Sequence, residues 1–327
     1  MSRLERAAAP ARPTWWPLVR RLLIYGFFVL LAAMLAALAR TIDWQEASAA
    51  LRQYHARTLL LALAASAASY LVYGCFDLLG QRYARHDLPW RQILTVTFVC
   101  YAFNLNLGSW VGGLALRYRL YRRLGLDNLQ ITKVYTLSLA TNWTSYLLLA
   151  GAVFAAGAVV PPGDWGIGFA ALRILGLGLL ALAAAYLLAC AFARRRVWTF
   201  RGHGIGLPGL RLGLWQMVVG VANWVLMALV IHILLRQQVD FSTVLGVLLI
   251  SAIAGVVAHI PAGLGVLEAV FVAFLHHQVS RGNLIAALIG YRAVYFLLPL
   301  LVAGIVYLVI EARAKQMLRS NRAGERQ

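Results

Sequence analysis

The chain is 327 residues long, 62% hydrophobic and only 13% charged, with a mean hydropathy of +0.75. A soluble domain carries about a quarter charged residues, so this composition excludes an ordinary soluble fold and indicates a polytopic membrane protein. The formal net charge of +19 does not signal nucleic acid here. The Arg residues cluster at the ends of apolar runs, where cytoplasmic loops carry excess Lys and Arg and meet anionic headgroups.

Residues 1–18 are rich in Ala, Pro and Arg and read as a disordered basic tail. Arg20 and Arg21 then open an apolar run over 22–39, long enough to span. Its end, Ala37-Leu38-Ala39, resembles a signal-peptide cleavage site, but further spans follow and the run reads as a retained helix. Other runs of spanning length cover 58–79, 134–158, 170–193, 214–235 and 284–310. Cys75, Cys100 and Cys190 all lie in apolar sequence without metal-ligand spacing and read as packing residues.

Two further apolar regions, 93–118 and 244–277, are interrupted. The first contains FNLNLGSWVGGLALRYRLYRR from Phe103 to Arg123, the second AHIPAGLGVLEAVFVAFLHH from Ala258 to His277. In each, an apolar run stops at a polar residue, crosses a Gly-rich break and restarts. Non-helical backbone at membrane depth survives only where protein or a water-filled cavity surrounds it.

Charge decides how these regions thread. The loop before the first break carries Arg82, Arg85 and Arg91, and the segment after it carries Arg117, Arg119, Arg122, Arg123 and Lys133. A single crossing would put one basic loop outside; a re-entrant hairpin keeps both inside. The arms of the second region are about 15 residues, or about 23 Å, short of a hydrocarbon core of about 30 Å. The expected fold is therefore an all-α polytopic membrane protein. It has six spans and two re-entrant hairpins, with both termini cytoplasmic and basic loops at 194–211 and 313–327. Its halves, 19–160 and 163–312, form an inverted repeat of the kind many secondary transporters use. The rival is eight plain spans.

At a break, the restarting half-helix points its N–H groups and positive dipole end into the membrane interior, a site for a phosphate or carboxylate. In the second break Pro261 stops the incoming helix and Gly263 and Gly265 permit a tight backbone, beside His259. The alternative is a mere kink. Glu268 stands at the third position after Gly265, where it can bond back to the cap N–H. It is also the most deeply placed carboxylate, and intramembrane ionisable groups are functional candidates; one residue can fill both roles. Arg117 follows Gly112 and Gly113 in the first hairpin. It calls for a lipid phosphate or Glu268 as partner, unless it snorkels to the interface. Arg292, between Tyr291 and Tyr295 in the last span, needs a partner or a wet cavity, and Glu268 is the nearest carboxylate within apolar sequence. Asn104 and Asn106 can satisfy backbone freed at the first break or contact a headgroup. Asn142 and Asn223 read as interhelical hydrogen-bonding residues, and Asp77 reads as interfacial. His276-His277 has no third ligand nearby. With no P-loop, GxSxG, HExxH or Asp-rich nucleotide-sugar motif, no catalytic residue, metal or cofactor is assigned, and the chain does not read as an enzyme.

The stretches NLGSWVGGLALRYRLYRRLG and HIPAGLGVLEAVF resemble the membrane domain of the lysylphosphatidylglycerol synthase/flippase family. That family's pattern, a Gly-rich break followed by Arg and then Pro-x-Gly-x-Gly-x-x-Glu, falls on Gly108, Gly112, Gly113 and Arg117, and on Pro261, Gly263, Gly265 and Glu268. Full-length members carry a cytosolic aminoacyl-transferring domain, which this chain is expected to lack. The resemblance implies a lipid flippase of the bacterial inner membrane acting on an anionic phospholipid or lipid-linked substrate. A homo-oligomer or a partner from an envelope-lipid pathway is a further association it allows. The rival functions are an enzyme of lipid-linked substrate transfer and a non-transporting accessory protein.

Overall fold

The computed structural model describes residues 45, 52, 54–159, 168–193, 197–200, 203–258 and 263–324. The 1–18 tail and the 22–39 run lie outside them. The chain is an all-α polytopic membrane protein: among the described residues six helices are long and apolar enough to cross a bilayer. Helix α1 is Ala56–Ala84, α2 Trp90–Leu107, α3 Leu116–Arg123, α4 Asn128–Ala155 and α5 Phe169–Phe192. Then come α6 (Leu210–Leu234), α7 (Phe241–Ala258), α8 (Val266–Leu275), α9 (Arg281–Tyr291) and α10 (Leu298–Gly324). Two π-helical segments interrupt this series, Ser109–Ala115 before α3 and Arg292–Leu297 joining α9 to α10.

The helices start where local chemistry stops extended chain. Asp127 caps α4 by accepting from the Gln130 N–H at 2.7 Å, while Gln130 accepts from the Asp127 N–H at 3.1 Å. At α7 the Asp240 carbonyl accepts from the N–H groups of Thr243 and Val244, so the helix begins at Phe241. It therefore reaches 18 residues, about 27 Å, longer than the arm expected from the apolar run alone.

Helix α1 lies centrally, packed on α6, α4 and α2, and α4 packs on both α5 and α6. Where α4 crosses α5, Gly151 and Gly176 meet. A side chain at Gly151 would stand 2.8 Å from the Leu180 nitrogen and 3.0 Å from the Gly176 carbonyl, so only glycine lets the backbones approach this closely. The faces of α5 and α10 that no described helix covers carry Ile174, Leu177 and Phe192, and Leu301, Ile305 and Leu308. Such exposed apolar stripes are what a helix turned to lipid presents.

One element departs from the all-helical expectation. Val197–Phe200 and His203–Gly206, inside the expected basic loop, form an antiparallel hairpin that pairs Val197 with Gly206 and Phe200 with His203. It is fastened to the end of α1 by Tyr83, whose hydroxyl donates to the Gly206 carbonyl and accepts from the Gly206 N–H.

Candidate functional site

At the first break α2 ends on Gly108, whose φ of 83° lies in the region open to glycine. The chain then reverses. A side chain on Gly112 would be driven into the backbone of Phe103 and Asn104, so the returning arm lies directly on the arm it came from. Asn104 sits against Gly113, its Oδ1 2.9 Å from where a β-carbon would stand. Asn106 donates to the Ala102 carbonyl at 2.8 Å and the Phe296 carbonyl at 3.2 Å, tying the tip of the hairpin to the second π-segment.

That π-segment is held by the first half of the chain. A π-turn widens the helix and loosens its carbonyls, and three consecutive ones take outside donors. Ser66 Oγ bonds Val294 O at 3.2 Å, Tyr70 Oη bonds Tyr295 O at 3.0 Å, and Asn106 bonds Phe296 O. Tyr295 Oη in turn lies 2.7 Å from Ser69 Oγ and 3.0 Å from Tyr101 Oη, and Ser69 donates to Asn223 at 2.9 Å. Asn223 therefore makes the interhelical bond expected of it.

Arg117 does not reach Glu268. It is 2% exposed and donates through Nε and a terminal nitrogen to the two oxygens of Asp77, at 3.0 and 2.8 Å. Tyr121 adds a third donor to Asp77 at 2.7 Å, and Ser138 stands 3.4 Å from the guanidinium. The expectation that Asp77 is interfacial is thereby corrected. Helix α1 runs on to Ala84, which leaves Asp77 two turns inside and fully buried. An ion pair so enclosed is a locking element between α1 and the returning arm, since its two charges have no water to fall back on.

The second break gathers four of the expected residues. After α7 the chain turns back at Gly263 (φ 57°) and Gly265 (φ 78°), and α8 packs along α7. Glu268 accepts from the Gly265 N–H at 2.9 Å, the capping bond its position predicts. It also accepts from Arg292 Nε at 3.0 Å, and a terminal nitrogen of Arg292 donates to the Gly263 carbonyl at 3.0 Å. The Arg292 guanidinium lies over the Phe296 ring at 4.7 Å. These side chains are 14% and 16% exposed, unlike the sealed Asp77–Arg117 pair at 0% and 3%. His259 and Pro261 lie outside the described residues.

The two breaks thus converge on one short π-segment: Asn106 from the first holds its Phe296 end, and the second is bound to Arg292 at its start. The sequence carried no sign of Ser66, Ser69, Tyr70 or Tyr101 as members of this centre. Tyr295 was visible only as a neighbour of Arg292. No group of His, Cys, Asp and Glu suited to a metal occurs among the described residues.

On the returning arm of the first hairpin, toward the end of α3, Arg119 and Arg123 both donate to Glu311 of α10, Arg123 at 2.6 Å. Its hydrogen bonds to Glu311 hold the Arg123 guanidinium above its ordinary pKa.

The family model for the lysylphosphatidylglycerol synthase transmembrane region matches residues 22–303, a stretch that includes both breaks. The chain belongs to that family. Among curated relatives, the inner membrane protein YbhN of Escherichia coli is 47% identical over 309 residues, covering 94% of this chain and 97% of YbhN. The slr0712 protein of Synechocystis is 25% identical over 260 residues, covering 79% of this chain and 80% of its own length. A phosphatidylglycerol lysyltransferase of Staphylococcus haemolyticus is 22% identical over 71% of this chain, which spans only 27% of that enzyme. Membership of the synthase transmembrane-region family thus rests on the membrane part alone, and the similarity to YbhN extends over nearly the whole of both proteins.

Proposed function

We propose that this protein moves an anionic envelope lipid, a phospholipid or a lipid-linked substrate, between the leaflets of the bacterial inner membrane, and that it does so without chemical change to the lipid. The observation that carries this reading is the partly open Glu268–Arg292 pair at a helix break inside apolar sequence. A carboxylate here occupies the two donors that an anionic headgroup needs, the Arg292 guanidinium and the N-terminal N–H at Gly265. Exchange of Glu268 for a lipid phosphate would let the headgroup enter while its acyl chains stay in lipid.

The order helix, hairpin, helix occurs twice, as α1, α2–α3, α4 and again as α6, α7–α8, α9–α10. Within our reading these are the inverted halves 19–160 and 163–312, both hairpins are re-entrant, and both termini are cytoplasmic. Alternating access is rocking of one half on the other about the π-segment. Asn104, Asn106, Gly112 and Gly113 shape the first hairpin tip, Arg117 fixes its base, and His259, Pro261, Gly263 and Gly265 shape the second. The membrane assignment of YbhN and the phosphatidylglycerol specificity named for the staphylococcal relative support inner-membrane placement and an anionic lipid.

Purified protein in liposomes tests this directly, with headgroup-labelled phosphatidylglycerol in one leaflet. Transport predicts crossing of the intact lipid, and its loss in Arg292→Gln. A chemically altered lipid would instead establish a membrane enzyme. Neither crossing nor change, with another envelope protein co-purifying, would establish an accessory role.

A further inference from the structure

The pair Arg119 and Arg123 lies outside both breaks and has no part in the transport reading so far. Four residues apart on α3, the two side chains share a face. Together they make four contacts to one carboxylate: Arg119 to both oxygens of Glu311 at 3.2 Å, and Arg123 to Oε2 at 2.6 Å and Oε1 at 3.0 Å. Arg123 grips the carboxylate with a two-nitrogen fork and one terminal nitrogen of Arg119 bridges both oxygens. Two guanidinium groups on one carboxylate leave an excess of positive charge, and their planar geometry suits a phosphate as well. The Arg side chains are 52% and 37% exposed, so an incoming ligand can reach them.

A second observation says what kind of ligand. Leading up to Glu311 along α10, Leu298, Leu301, Ile305 and Leu308 are all exposed, at spacings of three or four residues. They form a continuous apolar stripe that ends at the Arg pair. Tyr307 marks the boundary: the Arg119 guanidinium lies over its ring at 5.7 Å, and the ring of Phe103, from the first hairpin, stands 6.2 Å away. An aromatic between a basic cluster and an apolar stripe is the arrangement of a membrane interface.

We propose that Arg119 and Arg123 dock the phosphate of an anionic phospholipid whose acyl chains lie along the α10 stripe, and that Glu311 holds this site closed until the phosphate displaces it. The site binds lipid at the interface before any lipid reaches the breaks; calling that lipid cargo rests on the transport reading, whereas the binding itself does not. Because Glu311 joins the first hairpin to the last helix, its displacement also releases a link between the two halves.

The test uses the full chain purified in a neutral detergent and titrated with dioctanoyl phosphatidylglycerol, with bound lipid counted by native mass spectrometry. Dioctanoyl phosphatidylcholine and inorganic phosphate form the comparison arms. Wild type should bind phosphatidylglycerol in preference to phosphatidylcholine. Arg119→Gln combined with Arg123→Gln should weaken phosphatidylglycerol binding about tenfold or more, as loss of two charge-assisted contacts implies. Glu311→Gln should tighten it about threefold, because the competing carboxylate is gone. Unchanged or weaker binding by Glu311→Gln overturns the proposal, and since that substitution is isosteric and its Arg partners are exposed it decides the matter even if the double Arg variant fails to fold. Displacement of phosphatidylglycerol by an equal concentration of inorganic phosphate would assign the site to free phosphate and overturn the lipid assignment. Binding that follows the expected pattern in protein that moves no lipid in liposomes leaves this site standing and removes the transport reading; transport with no effect of Glu311→Gln on binding does the reverse.

Discussion

Replacing Asp77 by Asn removes the one carboxylate that faces a guanidinium buried to 2%. Asn can still accept one hydrogen bond, but Arg117 is then left with neutral neighbours alone, among them Ser138 Oγ at 3.4 Å and the Tyr135 ring at 5.7 Å, for a full positive charge. Breaking a buried pair from one side costs about 3–5 kcal/mol, since the surviving charge stays desolvated. At about 2 °C per kcal/mol for a chain of this size, the midpoint of thermal unfolding should fall by about 6–10 °C. Tryptophan fluorescence in detergent provides the assay, with ten native tryptophans as reporters. Two controls come from the same molecule. The double variant Asp77→Leu with Arg117→Met removes both charges and should recover most of the loss, because a buried pair replaced by apolar groups is close to neutral. Glu311→Gln breaks contacts to Arg side chains that are 52% and 37% exposed and should cost no more than about 1 kcal/mol. A fall of under about 2 °C for Asp77→Asn, or a double variant worse than the single, would refute the claim that this pair is sealed and locks the hairpin to α1.

Glu268→Gln keeps an acceptor for the Gly265 N–H but loses the charge opposite Arg292, so transport should vanish at normal membrane abundance; a collapse in abundance would mean that Glu268 serves to hold the break together. Gly112→Val should destabilise by about 1–3 kcal/mol through overpacking against Phe103 and Asn104, read as the same melting shift, and no loss would contradict the reversal of the chain at this point. Topology is checked by a cysteine replacing Arg122, which is exposed at the end of α3, whereas neighbouring Tyr121 is buried and would be silent from either side. With the native cysteines removed, an impermeant thiol reagent outside intact cells should leave that site unlabelled, and labelling would restore eight plain spans.

The presence of the spanning helices and of both breaks follows from short-range chemistry, while several helix ends do not. Apolar runs of spanning length, the Asp127 and Gln130 cap, and glycines at positions 108, 263 and 265 act within a turn or two of their own place in the chain, and a sequence displays such terms directly. Glu268 belongs to the same group: its bond to Gly265 spans three residues and was legible as a cap. Its second partner, Arg292, was legible by elimination, there being no nearer carboxylate in the apolar sequence. Tertiary structure decided which of the other polar residues meet. Asp77 and Arg117 are 40 positions apart, and Ser69 and Tyr295 are 226 apart. Apolar residues in α1, α4 and α6 follow no helical period, so the sequence marks no inward face. Asp77 looked interfacial because the apolar run stops near it, whereas the helix continues to Ala84 and carries the carboxylate inside. The two breaks were therefore written in the sequence, but their convergence on Arg292–Leu297 was not: it depends on which faces α1, α2 and α6 bury, and only packing selects those.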